Sequence, residues 1–389
     1  MRAAPLLLII TAAHSLQRSP RSYCGLMTAV ALGIPRVGLS VPGSAAIGAP
    51  SVPAEARPAS PYLLDTHGRR ARDLRVSLTD KCNLRCTYCM PAEGLDWLPG
   101  GELLTDDELV RLIDLAVSRL GIEEIRFTGG EPLLRKGIVE LMSRVGQLSP
   151  RPEMSLTTNG IGFARRAADF VAAGLDRINI SLDSLDPATF QTLTRRNRLA
   201  DVLDALAAAV DVGLSPVKIN TVLMRGINDH EAADLLQFSL ERGYRLRFIE
   251  QMPLDAGHSW TRERMVTADE IQASLATRFT LTPHPGARLG SPAELFTVDG
   301  GPGTVGIIAS VTRPFCGDCD RTRLTADGQV RTCLFARQET DLRAMLRGGA
   351  DDEEIAAAWR TTTWGKLPGH GIDDPSFLQP DRPMSAIGG

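Results

Sequence analysis

Six of the chain's seven cysteines fall into two tight groups: Cys82, Cys86 and Cys89, then Cys316, Cys319 and Cys333. Groups of three suit neither a set of disulfides nor a closed four-ligand zinc site. They do suit a four-iron cluster that keeps one iron free for a substrate. At the first group a zinc knuckle would need a fourth ligand, and the nearby His67 lies ahead of the strand that leads into the group. At the second, where a ribbon turns at Asp327-Gly328, zinc stays a serious competitor on bare chemistry. Arg321 and Arg323 alternate on that ribbon and so project to one side, which suits phosphate recognition beside an open metal site. Thr128-Gly-Gly-Glu-Pro132 supplies a backbone that a ligand can approach closely, with a carboxylate to accept from an amino group.

Such groups need a frame, and from about Asp73 the sequence supplies one. Short β-like runs over 74–79, 124–128, 154–158, 177–182, 217–223 and 246–251 alternate with amphipathic stretches over 105–119, 136–148, 163–173, 199–212 and 230–242. Thr105 with Glu108 three residues later is a capping-box start. Strands alternating with helices imply parallel strands joined by right-handed crossovers. Period two sets Leu74, Val76 and Leu78 against Arg75, Ser77 and Thr79, and Ile125 and Phe127 against Arg126 and Thr128. The next three runs set Ser155 and Thr157, then Asn179, Ser181 and Asp183, then Lys218 and Asn220 on the polar side. The sixth breaks the pattern, since Arg247, Ile249 and Gln251 mix types.

A sheet covered on both faces would read as continuous apolar runs. One apolar and one polar face predicts an α/β fold, a partial (β/α)6 TIM-type barrel packed outside by helices and holding a polar ligand inside. The expected division is an N-terminal extension over 1–60, the partial barrel over 61–275, and a smaller C-terminal cluster-binding domain over 276–389. A helical stretch over 353–359 falls in that last part.

With 43% apolar and 23% charged residues in 389, the chain can bury a large core. A formal charge of −3 gives no overall attraction to nucleic acid or an anionic membrane, so any grip on a polyanion must come from local clusters of arginine and lysine. No stretch approaches the roughly 18 apolar residues of a membrane span. Open thiolates call for a reducing compartment, and a cytoplasmic location is expected. Arg2, the apolar run over 6–10 and Ala12-Ala13 resemble a short signal peptide, but the run is brief. The Pro-, Gly-, Ala- and Ser-rich residues to about Ser60 read as disorder, or as an upstream misassigned start with translation beginning at Met27, which would make Cys24 irrelevant.

The first cysteine group and the Gly-Gly-Glu segment, on successive β/α units, resemble the radical S-adenosylmethionine superfamily. Within it, the stretch over 73–389 is similar to the cyclases that act on GTP at the first step of molybdenum cofactor synthesis. The resemblance is carried by Leu74-Arg-Val-Ser-Leu-Thr-Asp-Lys-Cys82, Ile125-Arg-Phe-Thr-Gly-Gly-Glu-Pro132, Thr157-Thr-Asn-Gly160, Ile180-Ser-Leu-Asp183, the second cysteine group and the terminal Gly388-Gly389. It implies two [4Fe-4S] clusters, one on each trio. S-Adenosylmethionine would bind the first, touched by Tyr88, Gly130 and Ser181 with Met252 nearby, and be cleaved to a 5′-deoxyadenosyl radical. GTP would bind the second through guanine, held by Arg75, Arg126, Thr157, Lys218, Arg321, Thr322 and Arg323. The implied reaction abstracts the ribose 3′ hydrogen, joins that carbon to guanine C8, and ends in a cyclic dihydro nucleotide, with Gly388 and Gly389 reaching the active site. Implied partners are GTP, S-adenosylmethionine, an electron donor and, functionally, the downstream cyclic pyranopterin monophosphate synthase, with a homodimer left open. No nucleic-acid or membrane partner is expected. The rival readings are a twin-cluster radical enzyme acting on a peptide, and a non-catalytic zinc module that grips nucleic acid.

Overall fold

The period-two runs become six parallel strands in the computed structural model, which describes residues 57–286 and 290–388. They are β1 (Asp73–Ser77), β2 (Glu124–Thr128), β3 (Glu153–Thr158), β4 (Arg177–Ser181), β5 (Lys218–Val222) and β6 (Arg245–Ile249), each paired in parallel with the next. Helices α1 (Asp106–Ser118), α2 (Ile138–Gly146), α3 (Ala167–Ala172), α4 (Pro187–Thr194), α5 (Leu199–Asp211) and α6 (Ala232–Glu241) occupy the crossovers. The capping box at Thr105 and Glu108 closes in both directions. The proposed start at Met27, Cys24 and the signal-like run lie outside the described residues.

The apolar sides of the strands make the core. Leu74, Val76, Ile125, Phe127, Leu156, Ile178, Ile219 and Phe248 are buried together with Leu109, Leu112 and Ile113 of α1 and Leu141, Met142 and Val145 of α2. Each such side chain contributes roughly 1.5–3 kcal/mol by leaving water. The polar sides are thereby forced toward the concave interior. The sixth strand follows the same rule despite its mixed sequence: Leu246 and Phe248 join the core, and Arg247 turns inward.

Past β6 come α7 (Ala268–Ala276), β7 (Leu281–Pro283), β8 (Glu294–Val298), β9 (Thr304–Ile308), β10 (Arg321–Leu324), β11 (Gln329–Arg331), β12 (Thr340–Asp341), α8 (Leu342–Arg347), α9 (Asp352–Trp364) and α10 (Met384–Ile387). Strand β9 pairs in parallel with β6, and β10 pairs in parallel with β1, so the later strands extend the barrel sheet from both edges. The result is an open partial barrel, a single sheet in the order β12-β11-β10-β1-β2-β3-β4-β5-β6-β9-β8-β7. These long-range parallel pairings have no local signature in the sequence. Helices α4 and α7 also escaped the periodicity. Helix α4 spans only eight residues, opened by the Asp186 cap and Pro187. Helix α7 begins at a second capping box, Thr267 with Glu270.

Candidate active site

Both cysteine trios open onto one cavity of about 330 Å³, inside the partial barrel. Cys82, Cys86 and Cys89 lie on the loop after β1, at the C-terminal ends of the strands where β/α folds collect ligands. Cys316 and Cys319 lie just before β10 and Cys333 just after β11. All six are free thiols. Burial pushes Cys82 up to about 11 and Cys89 up to about 12, and lifts Cys86 well above the ordinary thiol value. Nearby charges oppose ionisation further: Glu131 acts on Cys82, Asp183 on Cys86 and Asp255 on Cys89.

Around this first trio the chain builds a surface for a small ligand. A Cβ on Gly130 would stand 2.4 Å from the carbonyl oxygens of both Asp80 and Lys81, so only glycine lets this loop lie against the cysteine loop. Glu131 accepts from Leu133 N (3.0 Å), Thr158 Oγ1 (2.7 Å) and Asn159 N (2.7 Å), while burial lifts its carboxyl to about 7. Tyr88 donates to Asp183 at 2.7 Å, and the Val222 amide donates to the same carboxylate at 2.9 Å. Burial lifts Asp183 to about 6. Ser181 and Met252 line the same cavity.

Deeper in, the inward positions form a cationic floor. Arg75, Arg126, Arg247, Arg321 and Arg323 line the cavity with Thr157. Arg75 is registered beside both Arg126 and Arg323, so three guanidinium groups sit at one level of the sheet. Burial pulls Arg247 down to about 9 and Arg323 to about 10, the cost of packing cations together out of water. Their counter-ion is Asp73, whose carboxylate lies 3.6 Å from Arg75 Nη2 and from Arg321 Nε. Burial opposes its ionisation, yet Arg75, Arg126, Arg321 and Arg323 together hold it below the usual carboxylate range. Among the described residues the buried Nε atoms of Arg75, Arg126, Arg247 and Arg321 find no hydrogen-bond acceptor. Buried donors of this kind demand a partner, and a polyanion supplies several acceptors at once.

Two residues expected at this floor sit elsewhere. The Thr322 side chain faces away from the cavity, because it lies between two inward arginines on β10; its hydroxyl accepts from Trp359 Nε1 of α9 at 3.2 Å. Lys218 begins β5 and does not line the wall, though Arg247, Arg177 and Arg126 lie close enough to act on it electrostatically. Burial and those cations lower it to about 8. The strand periodicity put Asp183 on the polar side and left Arg247 unassigned, without a role for either, and it did not reach His370 or Lys366. His370 lines the cavity near Cys316, its Nε2 2.9 Å from the Ser310 carbonyl oxygen.

The C-terminal tail enters the same space. Ser77 Oγ donates to the Ile387 carbonyl at 2.8 Å, and Arg323 Nη1 donates to the Gly388 carbonyl. Gly388 has φ +82°, and a Cβ there would stand 2.3 Å from Ser77 Oγ and 2.7 Å from Thr128 Cγ2. Gly389 lies outside the described residues.

The Radical SAM superfamily pattern matches residues 76–239, and that of Molybdenum Cofactor Synthesis C matches 244–372. A GTP 3′,8-cyclase from Streptomyces coelicolor is 68% identical over 328 residues, 84% of this chain and 96% of that relative. This chain belongs to the GTP 3′,8-cyclase family. A cyclase of the family from Mycolicibacterium smegmatis is 58% identical over 93% of this chain and 100% of its own length. The solved structure of Streptococcus suis SuiB bound to S-adenosylmethionine shares the fold, with a TM-score of 0.53 at 13% identity over 79% of this chain and 69% of that one. As a radical S-adenosylmethionine cyclase of this family the chain uses S-adenosylmethionine and two [4Fe-4S] clusters. Three free, convergent thiols at each end of the cavity fit such clusters. Among the described residues no helix is long and apolar enough to cross a membrane.

Proposed function

We propose that the chain converts GTP to (8S)-3′,8-cyclo-7,8-dihydroguanosine 5′-triphosphate, the opening step of molybdenum cofactor synthesis, with the cavity residues in the following roles. Cys82, Cys86 and Cys89 hold the N-terminal cluster; Cys316, Cys319 and Cys333 hold the C-terminal one. When bound, the N-terminal cluster and S-adenosylmethionine supply the radical that abstracts hydrogen. Tyr88, Gly130, Ser181 and Met252 seat S-adenosylmethionine, and the Glu131 carboxylate answers its cationic end. Arg75, Arg126, Arg321 and Arg323 grip the triphosphate, Thr157 bonds the nucleotide, and Lys218 adds charge beneath. Gly388 and Gly389 close the space around the ribose, and the enclosure keeps water from the reacting carbon.

The observation that carries this reading is the joint opening of both thiol trios onto one arginine-floored cavity. It favours a substrate that bridges two cofactors and is itself a polyanion. A neutral peptide substrate would offer those arginine donors carbonyl oxygens but no negative charge to offset the cationic floor. Functionally, 61–275 is the part that cleaves S-adenosylmethionine, and 276–389 holds the second cluster and the tail. The protein works in the cytoplasm, with a low-potential electron donor before it and cyclic pyranopterin monophosphate synthase after it. The test is anaerobic incubation with reductant, S-adenosylmethionine and GTP. 5′-Deoxyadenosine should form in a GTP-dependent manner together with the cyclised nucleotide; formation indifferent to GTP would overturn the assignment of substrate.

A further inference from the structure

Lys366 stands two residues beyond α9 and is 4% exposed. Burying an ammonium is costly unless it is paired. Its three protons are all directed: to the Cys319 carbonyl at 3.0 Å, the Arg321 carbonyl at 2.9 Å and the Cys319 sulfur at 3.3 Å. Among the described residues no carboxylate lies within ion-pair distance of it, although most arginines of the chain have one. Of the three acceptors, the sulfur of Cys319 is the one that can carry a negative charge. At the other trio the nearest cation, Arg85, donates to the Cys82 carbonyl at 2.7 Å and acts on Cys82 only through space, and the donors to sulfur are backbone amides, those of Leu84 and Asn83 to Cys82 and that of Ser385 to Cys89.

We propose that Lys366 is a positioning residue for the C-terminal cluster, fixing Cys319 in place and raising the reduction potential of that cluster alone. The inference rests on the reading that Cys316, Cys319 and Cys333 hold an iron–sulfur cluster. Hydrogen bonds to cluster sulfurs and nearby positive charge are among the determinants of iron–sulfur potentials. Adding one electron makes the cluster more negative, and an ammonium in contact with a ligand sulfur stabilises that added charge. The two bonds to carbonyls tie the ammonium to both ends of the 319–321 segment that leads into β10. The same residue therefore sets where the sulfur sits and how it responds to reduction.

The experiment is a potentiometric titration of the reconstituted holoenzyme followed by electron paramagnetic resonance, with dithionite as reductant, in wild type, Lys366→Gln and Lys366→Arg. The transition that persists in Cys86→Ala assigns the C-terminal cluster. In K366Q, which keeps an amide to serve the carbonyls but carries no charge, that midpoint should fall. The expected change is tenfold in the reduction equilibrium, about 59 mV for one electron. The N-terminal midpoint should stay fixed, and K366R should keep the wild-type value. An unmoved C-terminal midpoint in K366Q, an equal fall in K366R, or a shift of both clusters would overturn the proposal. A K366Q enzyme that loses the cluster while K366R also loses it would overturn the claim on the potential, since placement alone would then be at stake. Iron and sulfide analysis of the wild type separates the two levels: a chain with only one cluster refutes the reading beneath, whereas two clusters with unmoved midpoints refute only the role of Lys366.

Discussion

The two cysteine trios share a cavity but not an electrostatic environment. Around Cys82, Cys86 and Cys89 stand three carboxylates, Glu131, Asp183 and Asp255, against one cation, Arg85, and the donors to sulfur are neutral. Around Cys316 and Cys319 stand cations, Arg69, Arg321 and Lys366, and Arg323 lies close to Cys333 and Cys319. Burial raises Cys316, whereas at Cys319 burial is outweighed by Lys366 and Arg321, and its thiol lies below the ordinary value. The difference matches the partners. In the roles proposed above, S-adenosylmethionine would bring a sulfonium and an ammonium to the acidic end, and GTP a polyanion to the basic end.

The most damaging way to break this comparison is to remove one ligand from either end. Cys86→Ala should abolish 5′-deoxyadenosine formation altogether. Cys319→Ala should leave reductive cleavage of S-adenosylmethionine measurable while eliminating the cyclised nucleotide; identical defects in both variants would mean that the ends are not specialised. A smaller loss is expected from Arg323→Ala, which removes a charged donor from both triphosphate and tail. A hydrogen bond to a charged group is worth about 1.5–3 kcal/mol, so the KM for GTP should rise roughly 10- to 100-fold with both clusters assembled. An unchanged KM would remove Arg323 from the floor.

Gly388→Ala probes the tail without touching either cluster. A Cβ there meets Ser77 and Thr128 and requires a left-handed backbone at φ +82°. At about 1–3 kcal/mol for the backbone alone, kcat should fall about tenfold or more, with iron content and GTP affinity retained. The mildest effect concerns pH at Lys218. Its folded value near 8 lies below the ordinary 10.5, so the ammonium is present at neutral pH and is lost as pH rises through about 8. GTP affinity should therefore weaken above that point, and Lys218→Arg should flatten the profile. A wild-type KM constant from pH 7 to pH 9 would exclude a role for that charge.

The strands and their inward polar residues were readable because period two is a local property: once Leu74, Val76 and Leu78 are assigned to the core, Arg75 must face the interior. The same rule applied to β10 puts Thr322 outward, against Trp359. Arg247 was hidden because Ile249 also lines the cavity on the inner side, which blurs the polar face. Lys366 carried no pattern at all. Its meaning depends on where α9 ends relative to Cys319, a contact between residues 47 positions apart. The parallel pairing of β10 with β1 is likewise set by the closing of the sheet and not by either segment alone.

The central claim is that each trio holds its own cluster at opposite ends of one cavity. Iron, sulfide and zinc analysis of anaerobically purified wild type, Cys86→Ala and Cys319→Ala tests it most directly. Two four-iron clusters predict about eight irons and eight sulfides per chain in the wild type and about half of each in either variant. Zinc without sulfide, or a single substitution that empties both ends, would contradict it.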